Sequence, residues 1–244
     1  MTMKYAEILA GGKGTRMGNT RLPKQFLNLG GEPIIIQTIE KFLMNGEFEK
    51  IIVVVSAEWI DYTKDLLKKY FSDGDLDKIH LVKGGADRSE TLMNGLRFIN
   101  DSFGQNDDDI VVTHDAVRPF VSQRIIKENI DGAVKFGAVD TVIPAIDTIV
   151  KSDEARSKIE EIPNRDVIFQ GQTPQSFNIK LLMQAYSDLT SEEKLILTDA
   201  AKVVLLSENV GEVKLVTGDQ QNFKITTSFD LKLAEALIQK GGEN

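Results

Sequence analysis

The sequence predicts an α/β protein: a mostly parallel, twisted sheet with helices on both faces, and a β-arm projecting from it. Three observations carry this. Short apolar runs alternate with segments of helical period as far as Ile143. One of them, Ile51–Val55, is apolar throughout, as expected of a strand covered on both sides. Finally, the polar, charge-rich stretch Lys151–Asp166 lies between short strand-like runs and reads as a hairpin or arm rather than a linker. No internal repeat or low-complexity tract interrupts the 244 residues. The chain is read as a single domain, 1–244, with the arm around 145–172.

Ala6–Leu9 is the first strand, ended by glycines. Pro33 suits the first turn of a helix whose inward stripe is Ile35, Ile36, Ile39, Phe42 and Leu43. Trp59, Thr63, Leu66, Leu67, Tyr70 and Phe71 mark a second helix. Ile79–Val82 follows as a strand and Ser89–Ile99 as a helix. Ile110–Thr113 runs as a strand into His114-Asp115, and Ile125, Ile126, Ile130, Ala133 and Val134 carry the next helical stripe. Ala138–Ile143 closes the regular part. Beyond it, Thr148–Val150, Val167–Gln170, Val213–Val216 and Phe223–Thr226 read as short strands, with helices at Ile179–Leu189 and Asp199–Leu206. The last helix opens on the capping-box-like Thr227-Ser228-Phe229-Asp230.

Composition narrows the chemistry. Hydrophobic residues at 41% and charged residues at 27% fit an ordinary globular protein, and no apolar run approaches the ~18–20 residues of a membrane span. The N-terminus lacks a secretory apolar segment, so a cytoplasmic location is expected. Cysteine is absent and histidine occurs only at 80 and 114, which excludes thiolate zinc sites, a cysteine nucleophile and a multi-histidine metal centre. A net charge of −8 argues against a nucleic-acid partner, although a few cations can still dominate a cleft.

Those cations cluster early. Leu9-Ala10-Gly11-Gly12-Lys13-Gly14-Thr15-Arg16-Met17-Gly18 follows a strand, at the carboxyl edge where open α/β sheets bind ligands. Glycines let backbone N–H groups approach phosphate oxygens, and Lys13, Arg16 and Lys24 add positive charge. A Walker A loop needs Gly-Lys-Ser/Thr, but Gly14 separates Lys13 from Thr15. A dinucleotide fingerprint fails at Met17. A grip on a triphosphate is the reading that remains beside an incidental surface turn.

Other segments are open to two readings. Gly84-Gly85-Ala86-Asp87-Arg88-Ser89 is either a plain strand-to-helix connection with Ser89 near the N-cap or a ligand loop. Asp115 beside Arg118 is either an ion pair or, at a strand's carboxyl end, a magnesium ligand bridging phosphate oxygens. His114 is too isolated for a base and is expected to orient the loop. The stretch around Arg165, with Gln170–Phe177 after it, reads as a polar hairpin with a proline turn. Asn222, Lys224 and Thr226 share one face of an expected strand, which solvent alone would also explain.

The glycine-rich string, followed by Pro23-Lys24-Gln25-Phe26-Leu27, resembles the sugar-nucleotide pyrophosphorylase and cytidylyltransferase superfamily; Pro-Lys-Gln-Phe narrows it to cytidylyltransferases of the IspD/TarI type. The resemblance covers nearly the whole chain. It implies a Rossmann-like fold of the nucleotide-diphospho-sugar transferase type and a magnesium-dependent transfer from CTP to a polyol phosphate. It implies phosphate and base contacts from Leu9, Ala10, Gly11, Gly12, Gly14, Gly84, Gly85, Asp87, Ser89, Ala116 and Arg118. By the same resemblance Asp115 is the Mg2+ ligand, Arg16 and Lys24 stabilise the reacting phosphates, and Arg165 and Lys224 hold the acceptor, Arg165 often reaching a neighbouring subunit.

Leu-Ala-Gly-Gly-Lys-Gly-Thr-Arg-Met-Gly, His-Asp-Ala-Val-Arg-Pro-Phe and Gln-Gly-Gln-Thr-Pro-Gln-Ser-Phe lie closer to the ribitol 5-phosphate branch. That branch implies CDP-ribitol as product, for teichoic acid or capsule synthesis, with a homodimer formed through the arm and a ribitol-5-phosphate dehydrogenase as functional partner. The alternatives are the 2-C-methyl-D-erythritol 4-phosphate branch of isoprenoid synthesis and a non-catalytic nucleotide-binding regulatory module.

Overall fold

The computed structural model describes residues 2–12, 22–104, 106–207 and 211–241. At its centre is a seven-stranded sheet of β1 (Lys4–Ala10), β4 (Lys50–Val55), β5 (Ile79–Lys83), β6 (Ile110–Asp115), β7 (Ala138–Pro144), β10 (Phe169–Asn178) and β11 (Lys214–Thr217). Their order is β11-β7-β10-β6-β1-β4-β5, while β2 (Asn28–Leu29) and β3 (Glu32–Pro33) pair apart from it, and α3 (Asp73–Leu76) and α7 (Ser191–Leu195) are short helices. Every pairing in the seven-stranded sheet is parallel except the two made by β10, which runs antiparallel between β6 and β7. The predicted mostly parallel sheet is therefore present, with one reversed strand inside it.

Strand alternation splits the core in two. Ala6, Ile8, Val53 and Val112 face α1 (Ile34–Leu43), α2 (Ile60–Tyr70) and α5 (Gln123–Phe136). Tyr5, Leu9, Val54 and Val111 face α4 (Arg88–Phe103), α6 (Ile179–Asp188) and α8 (Ala200–Leu206). Burial of β4 on both faces explains its unbroken apolar run, Ile51–Val55; β1, buried in the same way, is apolar from Tyr5 to Ala10 except at Glu7. A third, smaller cluster joins Leu29, Ile34, Val117 and Ile225 to Ala234 of α9 (Ser228–Gly241). Asp230 accepts hydrogen bonds from the backbone N–H groups of Thr226 and Thr227, while its own N–H donates to Thr227 Oγ1, so the anticipated cap is formed. No helix among the described residues is long and apolar enough to cross a membrane.

Four expectations are corrected. Gln170–Phe177 is no proline-turned hairpin; it belongs to β10. From Gln172 on its polar side chains are buried, and neighbouring elements satisfy them: Thr173 bonds His114, Gln175 bonds Asp140 and Ser176 bonds Asn129. Pro174 falls where the β10–β7 register shifts, the kind of place where a strand tolerates proline. Thr148–Val150 is irregular, and the arm is instead a two-stranded hairpin of β8 (Lys151–Ser152) and β9 (Ile159–Glu161), exposed along almost its whole length. Val167 closes a 3-10 turn, Arg165–Val167, rather than opening a strand. Phe223–Thr226 is not a strand either; Ile225 N–H donates to Val117 O, which ties the segment to a turn instead of a sheet.

Candidate active site

The carboxyl ends of β1, β4, β5 and β6 open onto a cavity of about 710 Å³. Its walls include Leu9, Ala10, Gly11, Gly12, Lys24, Gly84, Gly85, Asp87, Asp115, Ala116 and Lys224, so most of the predicted residues converge. Lys13, Gly14 and Arg16 lie outside the described residues. The floor is held by cross-strand ties: Ala116 N–H donates to Leu9 O at 3.1 Å, and Gly84 N–H to Val55 O at 2.7 Å.

Lys24 starts a 3-10 turn that Pro23, at φ −55°, leads into. The next residue, Gln25, was missed by sequence reasoning as a functional position. It is buried, and its amide donates to Ala10 O at 2.8 Å and Gly12 O at 3.4 Å, so it fixes Lys24 against the glycine segment. Ser56, also unforeseen, donates to Gly11 O at 3.0 Å.

The second loop is built differently from expectation. Asp87, not Ser89, is the N-cap of α4, accepting from Glu90 N–H at 2.8 Å. Ser89 is buried and does not line the cavity. Thr91 does: its hydroxyl donates to Asp87 O at 2.6 Å and accepts from Gly85 N–H at 3.2 Å, locking the turn. A Cβ at Gly84 would sit 3.3 Å from both Thr91 Oγ1 and Val55 O, so backbone, threonine and strand leave little room there for a side chain. Helical spacing from Asp87 to Thr91 was the available signal.

Asp115 ends β6 at the bottom of the cavity. Its Oδ1 lies 2.6 Å from an Arg88 nitrogen, and its Oδ2 lies 2.9 Å from Lys224 Nζ and 3.4 Å from Arg118 Nε. Burial alone would raise its carboxyl, but Arg88, Lys224 and Arg118 together hold it well below the ordinary carboxylate range. Arg88 was not singled out from the sequence as a site residue. Arg118 does not line the cavity; it binds Asp115 and donates to Asn222 O at 2.8 Å, holding the Lys224 segment in place.

His114 supports this corner from behind. Its Nε2 lies 3.0 Å from Arg118 O, a carbonyl that can only accept, so Nε2 carries the proton. Nδ1 then accepts from the Thr173 hydroxyl at 3.0 Å, and Thr173 in turn accepts from Asp115 N–H. Burial lowers this imidazole to about 4.

Arg165 stands apart. Its guanidinium donates to Ile146 O at the base of the arm, and it does not line the cavity. Within one chain it does not join Asp115 and Lys224.

No group of three or more acidic, histidine or cysteine residues able to cage a metal occurs among the described residues. A single buried carboxylate at a cation-rich cavity fits magnesium only as an ion that takes its other ligands from substrate phosphates and water. Asp115 would hold it, after exchange of its present cationic partners.

Comparison with known proteins narrows the arrangement. The family model described as IspD, 2-C-methyl-D-erythritol 4-phosphate cytidylyltransferase, matches residues 5–240. The ribitol-5-phosphate cytidylyltransferase of Lactiplantibacillus plantarum is 54% identical over 238 residues, covering 98% of this chain and 99% of that protein. Among solved structures, the 4-diphosphocytidyl-2C-methyl-D-erythritol synthase of Anaerococcus prevotii superposes with a TM-score of 0.79 at 29% identity, over 98% of this chain and 96% of its own. The 2-C-methyl-D-erythritol 4-phosphate cytidylyltransferase of Francisella tularensis gives 0.77 at 28%, over 96% and 99%. With a family match that begins in β1 and ends in α9, and a relative sharing more than half its residues along both chains, this chain belongs to the IspD family of cytidylyltransferases.

Proposed function

We propose that the chain transfers a cytidylyl group from CTP to D-ribitol 5-phosphate, giving CDP-ribitol and pyrophosphate. The observation that carries cytidylyl transfer is the convergence of Lys24, Lys224 and the buried, ionised Asp115 on one glycine-walled cavity. The ribitol acceptor is supported by the Lactiplantibacillus plantarum relative, whose 54% identity is well above the 28–29% of the two erythritol-phosphate enzymes compared above.

In this reading a phosphate oxygen of the acceptor attacks the α-phosphorus in line, and the bond to the bridging oxygen breaks as pyrophosphate leaves. The nucleophile needs no catalytic base, because a phosphomonoester's second pKa is ~6. Alignment and charge control the barrier. Lys24, with Arg16, stabilises charge on the α-phosphoryl and leaving groups. Lys224 holds the acceptor phosphate, and Arg165 does so from the arm of a second subunit. Asp115 would hold a magnesium ion, which when bound would supply charge neutralisation to the triphosphate.

The same reading makes the protein a cytoplasmic homodimer that supplies CDP-ribitol to teichoic acid or capsule synthesis, fed by a ribitol-5-phosphate dehydrogenase. The exposed apolar side chains Ile159, Ile162 and Val167 on and beside the arm support a partner there. The test is pyrophosphate release from CTP and magnesium with either polyol phosphate. Release with ribitol 5-phosphate supports the assignment; release only with 2-C-methyl-D-erythritol 4-phosphate replaces it, and release with neither removes catalysis of both reactions.

A further inference from the structure

Glu7 occupies the middle of β1, on the face it shares with Tyr5 and Leu9. It is fully buried, yet among the described residues neither carboxyl oxygen has a hydrogen-bond partner. Space for it comes from Gly95 of α4, where a Cβ would lie 2.2 Å from Oε1. An acid left unsatisfied in a core is costly, and an apolar side chain would fill the slot without that cost.

What surrounds Glu7 suggests a use. In the parallel ladder Glu7 pairs with Thr113 and Leu9 with Asp115. Laterally paired residues share a face, so Glu7 and Asp115 open on the same side of the sheet, one pleat repeat apart along the strands (~6.6 Å). Arg88, the first residue of α4, lies over that side, two helical turns before Gly95. It bonds Asp115 at 2.6 Å and also feels the charges of Asp199 and Glu7. Arg88 thus faces one carboxyl group that is engaged and another that is not. Meanwhile Asp115 already carries three cationic partners, so a metal cation that takes it meets like charge unless one of them moves away.

We propose that Glu7 is a positioning residue, the acceptor onto which Arg88 shifts when nucleotide and its cation claim Asp115. This rests on the CTP reading above. Without a second acceptor, Arg88 would be left as a partly buried, unpaired guanidinium, and it would compete with the nucleotide's cation for Asp115. Either protonation state of Glu7 offers an oxygen able to accept from Arg88, as would a glutamine amide.

The experiment is calorimetric binding of CTP with magnesium, without acceptor, so that no turnover is involved. Glu7→Met should weaken binding about tenfold while the melting temperature stays equal or rises, and Glu7→Gln should restore it to within about threefold of the native protein. In an Arg88→Met background, Glu7→Met should have no further effect. Unchanged affinity in Glu7→Met, or the same loss with and without Arg88, overturns the proposal. If Glu7→Met does not fold, the native protein decides: in its crystal structure with CTP and magnesium, Arg88 bonded to Glu7 supports the shift, and Arg88 still on Asp115 overturns it. Failure of the native protein to bind CTP would instead remove the functional reading itself.

Discussion

Lys224 places its ammonium 2.9 Å from Oδ2 of Asp115, although it comes from a segment that enters no sheet. The pairing depends on Arg118, which bonds Asp115 and Asn222 O together, and on Ile225 N–H, which donates to Val117 O. Lys224 is thus aimed by the turn that follows Asp115. Lys224→Ala should raise the KM for ribitol 5-phosphate about tenfold or more, with the KM for CTP within about twofold, since Asp115 keeps Arg88 and Arg118 as partners. Steady-state kinetics with each substrate varied checks this; a change confined to CTP would move Lys224 to the nucleotide half of the site.

The backbone at Lys24 is held by a buried glutamine tied to the glycine segment, which presents the lysine at the cavity before substrate binds. A preorganised cation of this kind contributes on the order of 10²–10³ in rate. Lys24→Ala should lower kcat by about that factor with the melting temperature changed by no more than about 2 °C. Gln25→Leu should lower kcat as well, through misplacement of Lys24, and should also destabilise the fold by leaving Ala10 O unpaired. Stopped-flow pyrophosphate release together with thermal melts separates the two variants.

His114 makes folding stability depend on pH. It is neutral in the fold down to about pH 4, whereas in the unfolded chain it titrates near 6.5. Its contribution is complete above 6.5 and is lost as pH falls from 6.5 toward 4, because the unfolded chain then binds the proton more readily; the full difference is roughly 3 kcal/mol. Asp140 acts in the opposite sense, since burial raises it to about 6 and its contribution is lost as pH rises from about 4 through 6. The two partly cancel in the native protein. Urea denaturation at pH 4.5 and 7 should show the His114→Gln variant losing less stability on acidification than the native chain. An identical loss would mean that His114 is protonated in the fold.

Arg165 sits on the exposed arm and its guanidinium donates to the nearby carbonyl of Ile146, so Arg165→Ala should leave the melting temperature unchanged. If it serves the site of a second subunit, mixing inactive Arg165→Ala with inactive Lys24→Ala should restore activity. Random reassortment places half the chains' pairs in hybrid dimers with one intact site each, so about a quarter of native activity should return. No recovery after confirmed subunit exchange would place Arg165 in its own subunit's site, or outside catalysis.

Much of this arrangement is readable from the sequence because it follows from hydrophobic pattern and strand ends. The strands before residue 144 stand out through apolar runs, and Asp115 and Gly84 fall where such runs stop. What stayed hidden has a common physical cause, the mutual satisfaction of polar groups. Gln172, Thr173, Gln175 and Ser176 are buried in β10, yet their hydropathy is that of a surface hairpin. Arg88 looks like a solvated first-turn residue until the fold brings Asp115 within 2.6 Å. The placement of Lys224 was expected from strand alternation that does not exist, and arises from a turn instead.

Thr91 offers the sharpest test of the nucleotide loop. Its hydroxyl holds Gly85 N–H and Asp87 O in one turn, and Gly11 packs so closely that a Cβ there would lie 3.3 Å from the threonine methyl. The two glycine-bearing loops therefore meet at this side chain. Thr91→Val keeps the volume but removes the hydroxyl, leaving Gly85 N–H without its partner at a cost of about 1–3 kcal/mol. The loop should then sample other conformations, and CTP should bind about tenfold more weakly with the acceptor KM unchanged. Thr91→Ser, which keeps the hydroxyl and drops the methyl, should recover most of the affinity. Ser89→Ala should alter neither, because Ser89 is buried away from the cavity. Calorimetric titration of CTP into the three variants distinguishes Thr91 from Ser89 directly, and a loss in Ser89→Ala equal to that in Thr91→Val would return the role to the residue the sequence first suggested.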